Sequence, residues 1–149
     1  MDSLVEQVAY NFKYDLEHKN ISLKKDIPDD FSVHADLNTT KVVMRNLLAN
    51  AIKYSEAGGE ITIRGIKNRQ DHIIQVIDKG QGIPPDKIPI LFEVNNEKVT
   101  SGTAGEKGTG LGLWLCKEMM EKNKGSITVE STLGKGTSFT LQFPNISTS

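Results

Sequence analysis

The chain has 149 residues, 37% hydrophobic and 25% charged, enough apolar side chains for one core and enough charge for a soluble surface. Its 18 Lys and Arg nearly cancel its 19 Asp and Glu, which argues against nucleic acid or a membrane surface as partner, since both call for a basic excess. The single Cys116 excludes an internal disulfide, no apolar run is long enough to span a bilayer, and no charged-then-apolar leader opens the chain, so a reducing cytoplasmic setting is expected.

A first helix is expected over Asp2 to Asn20, where Leu4, Val8, Phe12 and Leu16 recur every four residues and Val5 and Ala9 widen the stripe. Asp2 or Ser3 can cap its start. Ile21 to Ile27 (ISLKKDI) alternates moderately and predicts a strand. Pro28-Asp29-Asp30 is a turn, and Phe31 to Ala35 predicts a second short strand. Asp36-Leu37-Asn38 then opens a helix that Ala57-Gly58-Gly59 ends.

That helix carries VVMRNLLANAIKYS (Val42 to Ser55). At about 100° per residue, Asn46, Asn50 and Lys53 share an arc of about 60°, with Tyr54 roughly 40° beyond Asn50. Met44, Leu48, Ala51 and Ile52 point the other way, so one face enters a core while the other presents amides and an ammonium. Asparagine is a mediocre helix former, and two of them one turn apart suggest a site for metal-bound phosphate.

Glu60 to Ile66 (EITIRGI) alternates with period two, and His72 to Ile77 (HIIQVI) is more continuously apolar; together they predict an antiparallel hairpin whose second strand is central. Asp78-Lys79-Gly80-Gln81-Gly82 follows at once, then Ile83. Its plain reading is a tight turn capped by the aspartate. Its functional reading gives Asp78 a hydrogen bond to an exocyclic amine, with Gly80 and Gly82 letting a flat base approach the backbone.

Asp86 to Phe92 predicts a short helix or turn with Ile88, Ile90, Leu91 and Phe92 packing inward. Asn95 to Gly108 is polar and long for a plain connection, which favours a functional loop. Gly108-Thr109-Gly110-Leu111-Gly112-Leu113 leads into a helix over Leu111 to Asn123, closed by Gly125. A glycine-rich helix entry suits phosphate oxygens, although a flexible loop reads the same. No Walker A loop and no G-x-G-x-x-G fingerprint is present. Cys116 lies in the helix's apolar stripe and reads as a core thiol. Ser126 to Ser131 and Thr137 to Phe143 predict two strands joined by Leu133-Gly134-Lys135-Gly136.

In this order the boxes are more specific than any one of them. NLLANAIKYS resembles the N box of histidine kinases, DKGQGIP their first glycine box, LFE their phenylalanine box, GTGLGLWLCKEMMEKNKGSITVEST their second glycine box, and GKGTSFTLQFP their closing strand. The chain thus resembles, over nearly all its length, the ATP-binding domain shared by histidine kinases, gyrase-type topoisomerases, Hsp90 and mismatch-repair ATPases. The resemblance implies an α+β fold of the Bergerat type, a two-layer α/β sandwich whose mixed, mostly antiparallel sheet is covered on one face by three helices. It implies one catalytic domain over residues 1–149, binding ATP and Mg²⁺, with no dimerisation or phosphoacceptor domain in this chain. Asn50 would coordinate Mg²⁺, with Asn46 beside it contacting metal through water or touching phosphate. Lys53 would reach a phosphate, Tyr54 would pack on the base or ribose, Asp78 would read the adenine amine, and Ile83 would line the base pocket. Lys107 and the backbone of Gly108, Thr109, Gly110, Leu111 and Gly112 would close over the phosphates, with Phe92 anchoring the root of that loop or serving as an ordinary core aromatic.

The implied activity is transfer of the γ-phosphoryl group to a histidine on a separate dimerisation domain of the same kinase, from which a response regulator is served indirectly. The isolated chain would be monomeric and cytoplasmic, with membrane attachment of the parent protein left open. Two departures stand out. Val94-Asn95-Asn96 replaces a second phenylalanine often found in the phenylalanine box. None of His18, His34 and His72 is followed by the acidic residue expected of a phosphoacceptor. The rivals are an ATP hydrolase or a serine kinase of the same superfamily, and a degenerate nucleotide-binding docking module. The first two place a carboxylate where this chain has Asn46, which cannot act as a base at neutral pH.

Overall fold

The computed structural model describes residues 2–33, 35–93 and 112–144. The elements are α1 (Asp2–Asn11), α2 (Lys13–His18), β1 (Ser22–Asp26), α3 (Leu37–Tyr54), β2 (Glu60–Lys67), β3 (Asp71–Asp78), a single 3₁₀ turn (Ile88–Ile90), α4 (Gly112–Lys122), β4 (Ser126–Thr132) and β5 (Gly136–Pro144). The strands form one five-stranded sheet in the order β1-β2-β3-β5-β4. Only the β1–β2 pair is parallel; the other three pairs are antiparallel. This is the expected two-layer α+β sandwich with a mixed, mostly antiparallel sheet.

Alternation along the strands decides which face is covered. Ile61 and Ile63 of β2, Ile74 and Val76 of β3, and Phe139, Leu141 and Phe143 of β5 all point to the helix layer and are buried. Against them α1 lays Leu4, Val5 and Val8, α3 lays Val43, Met44, Leu47, Leu48 and Ala51, and α4 lays Cys116 and Met120. Met44, Leu48, Ala51 and Ile52, expected on the core side of α3, are all buried.

Three sequence expectations are corrected. The first helix is two, broken at Phe12 (φ −108°, ψ 12°), so among the described residues four α-helices stand where three were expected. A strict spacing of four residues turns the apolar stripe about 40° per step, and the break returns Leu16 to the core. Phe31 to Val33 is not a strand; Phe31 closes a turn on the carbonyl of Pro28 and is buried as a single anchor. His34 lies outside the described residues.

The third correction concerns the end of α4. Lys124, not Gly125, takes the left-handed conformation (φ 61°). The backbone N–H groups of Gly125 and Lys124 reach back to the carbonyls of Met120 and Glu121 in a Schellman closure. Glycine is needed at 125 for room, because a Cβ there would meet the carbonyl oxygen of Gln142 at 2.3 Å. Lys124→Gly should therefore stabilise the fold by about 1 kcal/mol, and Gly125→Ala should destabilise it by roughly 2 kcal/mol or more. Thermal unfolding of the two variants checks this: the opposite ranking would contradict the assignment.

Candidate functional site

Asp36 caps α3 by accepting from the Thr39 N–H at 3.0 Å. Asn123, just past α4, ties the two helices together. Its Oδ1 accepts from the Asp36 N–H at 3.0 Å, and its Nδ2 donates to Thr39 Oγ1 at 3.0 Å and to the Met119 carbonyl at 2.9 Å. Farther along, the Cys116 thiol faces the Val43 carbonyl. The helices are therefore antiparallel, and Gly112 lies one turn beyond Cys116, level with the turn of α3 that holds Asn46 and Asn50.

Both asparagines are half-buried on α3. Asn46 Nδ2 donates to the Val42 carbonyl at 2.9 Å, which uses one of its two amide N–H donors. Lys53 and Tyr54 are buried, with Lys53 Nζ 4.8 Å from the centroid of the Tyr54 ring. Lys19, which no local pattern singles out, closes the C-terminal end of α3. Its Nζ donates to the carbonyls of Ile52 at 2.8 Å and Lys53 at 3.1 Å, placing a cation at the negative end of the helix.

The glycine turn sits directly on that helix end. The N–H of Gln81 donates to the Tyr54 carbonyl at 3.1 Å. A Cβ on Gly80 would lie 2.0 Å from the same oxygen, so no other residue fits there without displacing the backbone. Gly82 has φ 77°, the left-handed region that favours glycine. Asp78, at the end of β3, is 4% exposed. Its Oδ1 accepts from the Gly80 N–H at 2.9 Å, and the Thr137 N–H donates to the carboxylate as well. Burial outweighs these bonds and pushes its pKa up to about 6. Ile83 is buried next to this turn.

So Asn46, Asn50, Lys53 and Tyr54 come from one helix, the Asp78 to Ile83 turn abuts its end, and Gly112 opens the helix alongside. Lys107, Gly108, Thr109, Gly110 and Leu111 lie outside the described residues. Phe92 is half-buried against the core, following Leu91, which is buried. Cys116 is fully buried and its thiol is pushed up to about 12 by burial, which makes it a core residue and not a nucleophile. His18 is exposed and stacks on Tyr14; His72 bonds the Ser32 carbonyl through Nδ1.

Two further polar residues back the glycine turn. Ser131 Oγ accepts from the Ile83 N–H at 2.7 Å and lies 2.8 Å from the buried Thr137 Oγ1. A signal for both was available: alternation puts Ser131 in phase with Ile127 and Val129, and Thr137 in phase with Phe139 and Leu141. A hydroxyl on an inward stripe requires a partner.

The family model described as histidine kinase-, DNA gyrase B-, and HSP90-like ATPase matches residues 35–146. The sensor protein SrrB of Staphylococcus aureus is 38% identical over 109 residues, which is 73% of this chain but 19% of SrrB, so the chain spans only a fraction of that relative. Among solved structures, the catalytic domain of histidine kinase ThkA is similar with a TM-score of 0.81 and 27% identity, covering 97% of this chain and 91% of that one. ThkA in complex with the response regulator TrrA gives a TM-score of 0.76 at 25% identity, over 97% of this chain and 40% of that one. The family match runs from the cap of α3 past the end of β5, taking in Asn46, Asn50, Lys53, Tyr54, Asp78, Ile83 and Gly112, and the chain belongs to the histidine kinase-, DNA gyrase B-, and HSP90-like ATPases.

Proposed function

We propose that this chain is the catalytic and ATP-binding domain of a sensor histidine kinase, which passes the γ-phosphoryl group of ATP to a histidine on a separate dimerisation domain. The observation that carries this reading is the contact of the Gly80–Gln81 backbone with the carbonyl of Tyr54, which makes the polar face of α3 and the Asp78 carboxylate parts of one wall. The family is one of ATPases, so ATP is the nucleotide. Asp78, buried and acceptor-only when ionised, suits an exocyclic amine, with Tyr54 and Ile83 beside the base.

The donor set of α3 fits Mg²⁺, which keeps most of its waters and takes few protein ligands. Asn50 is the proposed ligand, Asn46 its neighbour, and Lys53 the proposed phosphate contact. When bound, Mg²⁺ neutralises phosphate charge for an in-line transfer. The chain's own part is positioning, with the N-terminal end of α4 adding a positive dipole beside the phosphates. The expectation for Lys107 and for 108–111 rests on the sequence alone. Asn46 sets this reading against hydrolysis: a carboxamide is not a base at neutral pH, so it cannot take a proton from an attacking water.

The proposed partners are the dimerisation domain of the same kinase and, through it, a response regulator, as the TrrA-bound structure of ThkA illustrates for that protein. Among the described residues no helix is long and apolar enough to cross a membrane. A monomeric, cytoplasmic domain is the proposed working form.

Two measurements test the site. Asn50→Ala should weaken Mg-ATP binding by about ten- to a hundredfold in calorimetry while leaving metal-free ATP binding nearly unchanged. An unaltered dependence on Mg²⁺ would remove Asn50 from the metal. The second is the pH dependence of binding. An acceptor for an amine works ionised, so binding favours the charged form of Asp78, whose pKa is about 6 in the free fold. Affinity for Mg-ATP should then fall about fourfold between pH 7.5 and 5.5. In Asp78→Asn the affinity should be weaker throughout and flat with pH; an equal slope in that variant would assign the titration elsewhere.

A further inference from the structure

Ser131 stands near the end of β4, paired in register with Thr137 of β5, which is in turn paired with Asp78 of β3. It is half-buried, while Asp78, Thr137 and Ile83 are each 4% exposed. Three polar groups converge on its hydroxyl: the Ile83 N–H at 2.7 Å, the Gly136 carbonyl at 3.0 Å and the Thr137 hydroxyl at 2.8 Å. A serine hydroxyl has one proton and two lone pairs. One arrangement satisfies all three partners: Ser131 donates to the Gly136 carbonyl and accepts from the Ile83 N–H and the Thr137 hydroxyl.

This one hydroxyl therefore holds both ends of the Asp78 to Ile83 turn. It reaches the Ile83 end directly. It reaches the Asp78 end through Thr137, whose N–H donates to the Asp78 carboxylate. The fold itself has other ties across this region. The Gly134 N–H donates to the Gln81 carbonyl at 2.9 Å, and the β4–β5 ladder runs from Ser126 to Gly136 without needing the side chain. Removing the hydroxyl thus leaves the sheet in place and frees the orientation of the turn.

We propose that Ser131 is a positioning residue for base recognition: by fixing Thr137 and Ile83, it holds the Asp78 carboxylate in the one orientation that meets the exocyclic amine of adenine. This rests on the reading of Asp78 as the adenine acceptor. Ser131 acts through its protein partners, the Ile83 N–H, the Gly136 carbonyl and the Thr137 hydroxyl. Its effect falls on discrimination between bases and not on binding of the triphosphate.

The test is calorimetric binding of ATP and of inosine triphosphate, which carries a carbonyl oxygen in place of the amine, to the whole chain and its variants, with thermal unfolding measured alongside. Ser131→Ala should weaken ATP about tenfold and inosine triphosphate by less than about twofold, lowering the preference for the amine. Ser131→Thr keeps the hydroxyl and should retain most of the preference. Adding Ser131→Ala to Asp78→Asn should reduce the preference no further than Asp78→Asn alone. A Ser131→Ala chain with a lowered Tm but the original preference would make the residue merely structural and overturn the proposal, as would a Ser131→Thr chain as indiscriminate as alanine. Full preference in Asp78→Asn would remove the adenine acceptor itself, and the role of Ser131 with it.

Discussion

The carbonyl of Tyr54 is the point on which the site depends. It is the last residue of α3, so its oxygen has no partner within the helix, and the Gln81 N–H meets that need. Gly80 lies so close to the same oxygen that a methyl group cannot enter. The contact joins two parts of the sequence that share no periodicity: a helix with amides on one face and a turn with a buried carboxylate. Lys19 holds the neighbouring carbonyls from the other side, so the end of α3 is fixed from both directions. At the far end of the same helix Asn123 sets α4 antiparallel to it, which brings Gly112 to the level of Asn46 and Asn50.

The buried acid shows what this arrangement asks of the fold. Asp78 would ordinarily titrate near 3.8, and burial raises it to about 6 despite two backbone donors. A carboxyl whose folded pKa is raised stabilises the fold at low pH, and that contribution is lost as pH rises through the folded value. Near neutrality Asp78 is mostly ionised, the form an amine requires, but that form is held at a cost in stability; only below about pH 6 does the free chain prefer the protonated acid. A group that opposes folding at the pH where it would bind its ligand is what functional placement produces. The hydroxyls of Ser131 and Thr137 back the turn with fixed donors and acceptors.

Much of this was legible in the sequence. The face of α3 was read from the angular spacing of Asn46, Asn50 and Lys53, and β2 from its alternation, because both periods follow from backbone geometry alone, while β3 was read from its continuous apolar run. What escaped reading depends on three-dimensional neighbours. The break at Phe12 carries no glycine or proline; it arises because a four-residue repeat drifts around a helix and the core does not drift with it. The left-handed residue after α4 looked like Gly125, yet Lys124 adopts it and Gly125 answers to the approach of β5. Lys19 and Asn123 act on carbonyls and caps more than thirty residues away in sequence, where no local pattern reveals a partner.

The most direct test of the account is the fate of the γ-phosphoryl group. The chain is mixed with γ-labelled ATP, Mg²⁺ and the separate dimerisation domain, and protein-bound label is followed together with free phosphate. Acid-labile, alkali-stable label is expected on a histidine of the dimerisation domain, none on this chain, and little released phosphate, as suits a site with an amide at Asn46. Rapid release of phosphate without histidine label, or label accumulating on this chain itself, would contradict it.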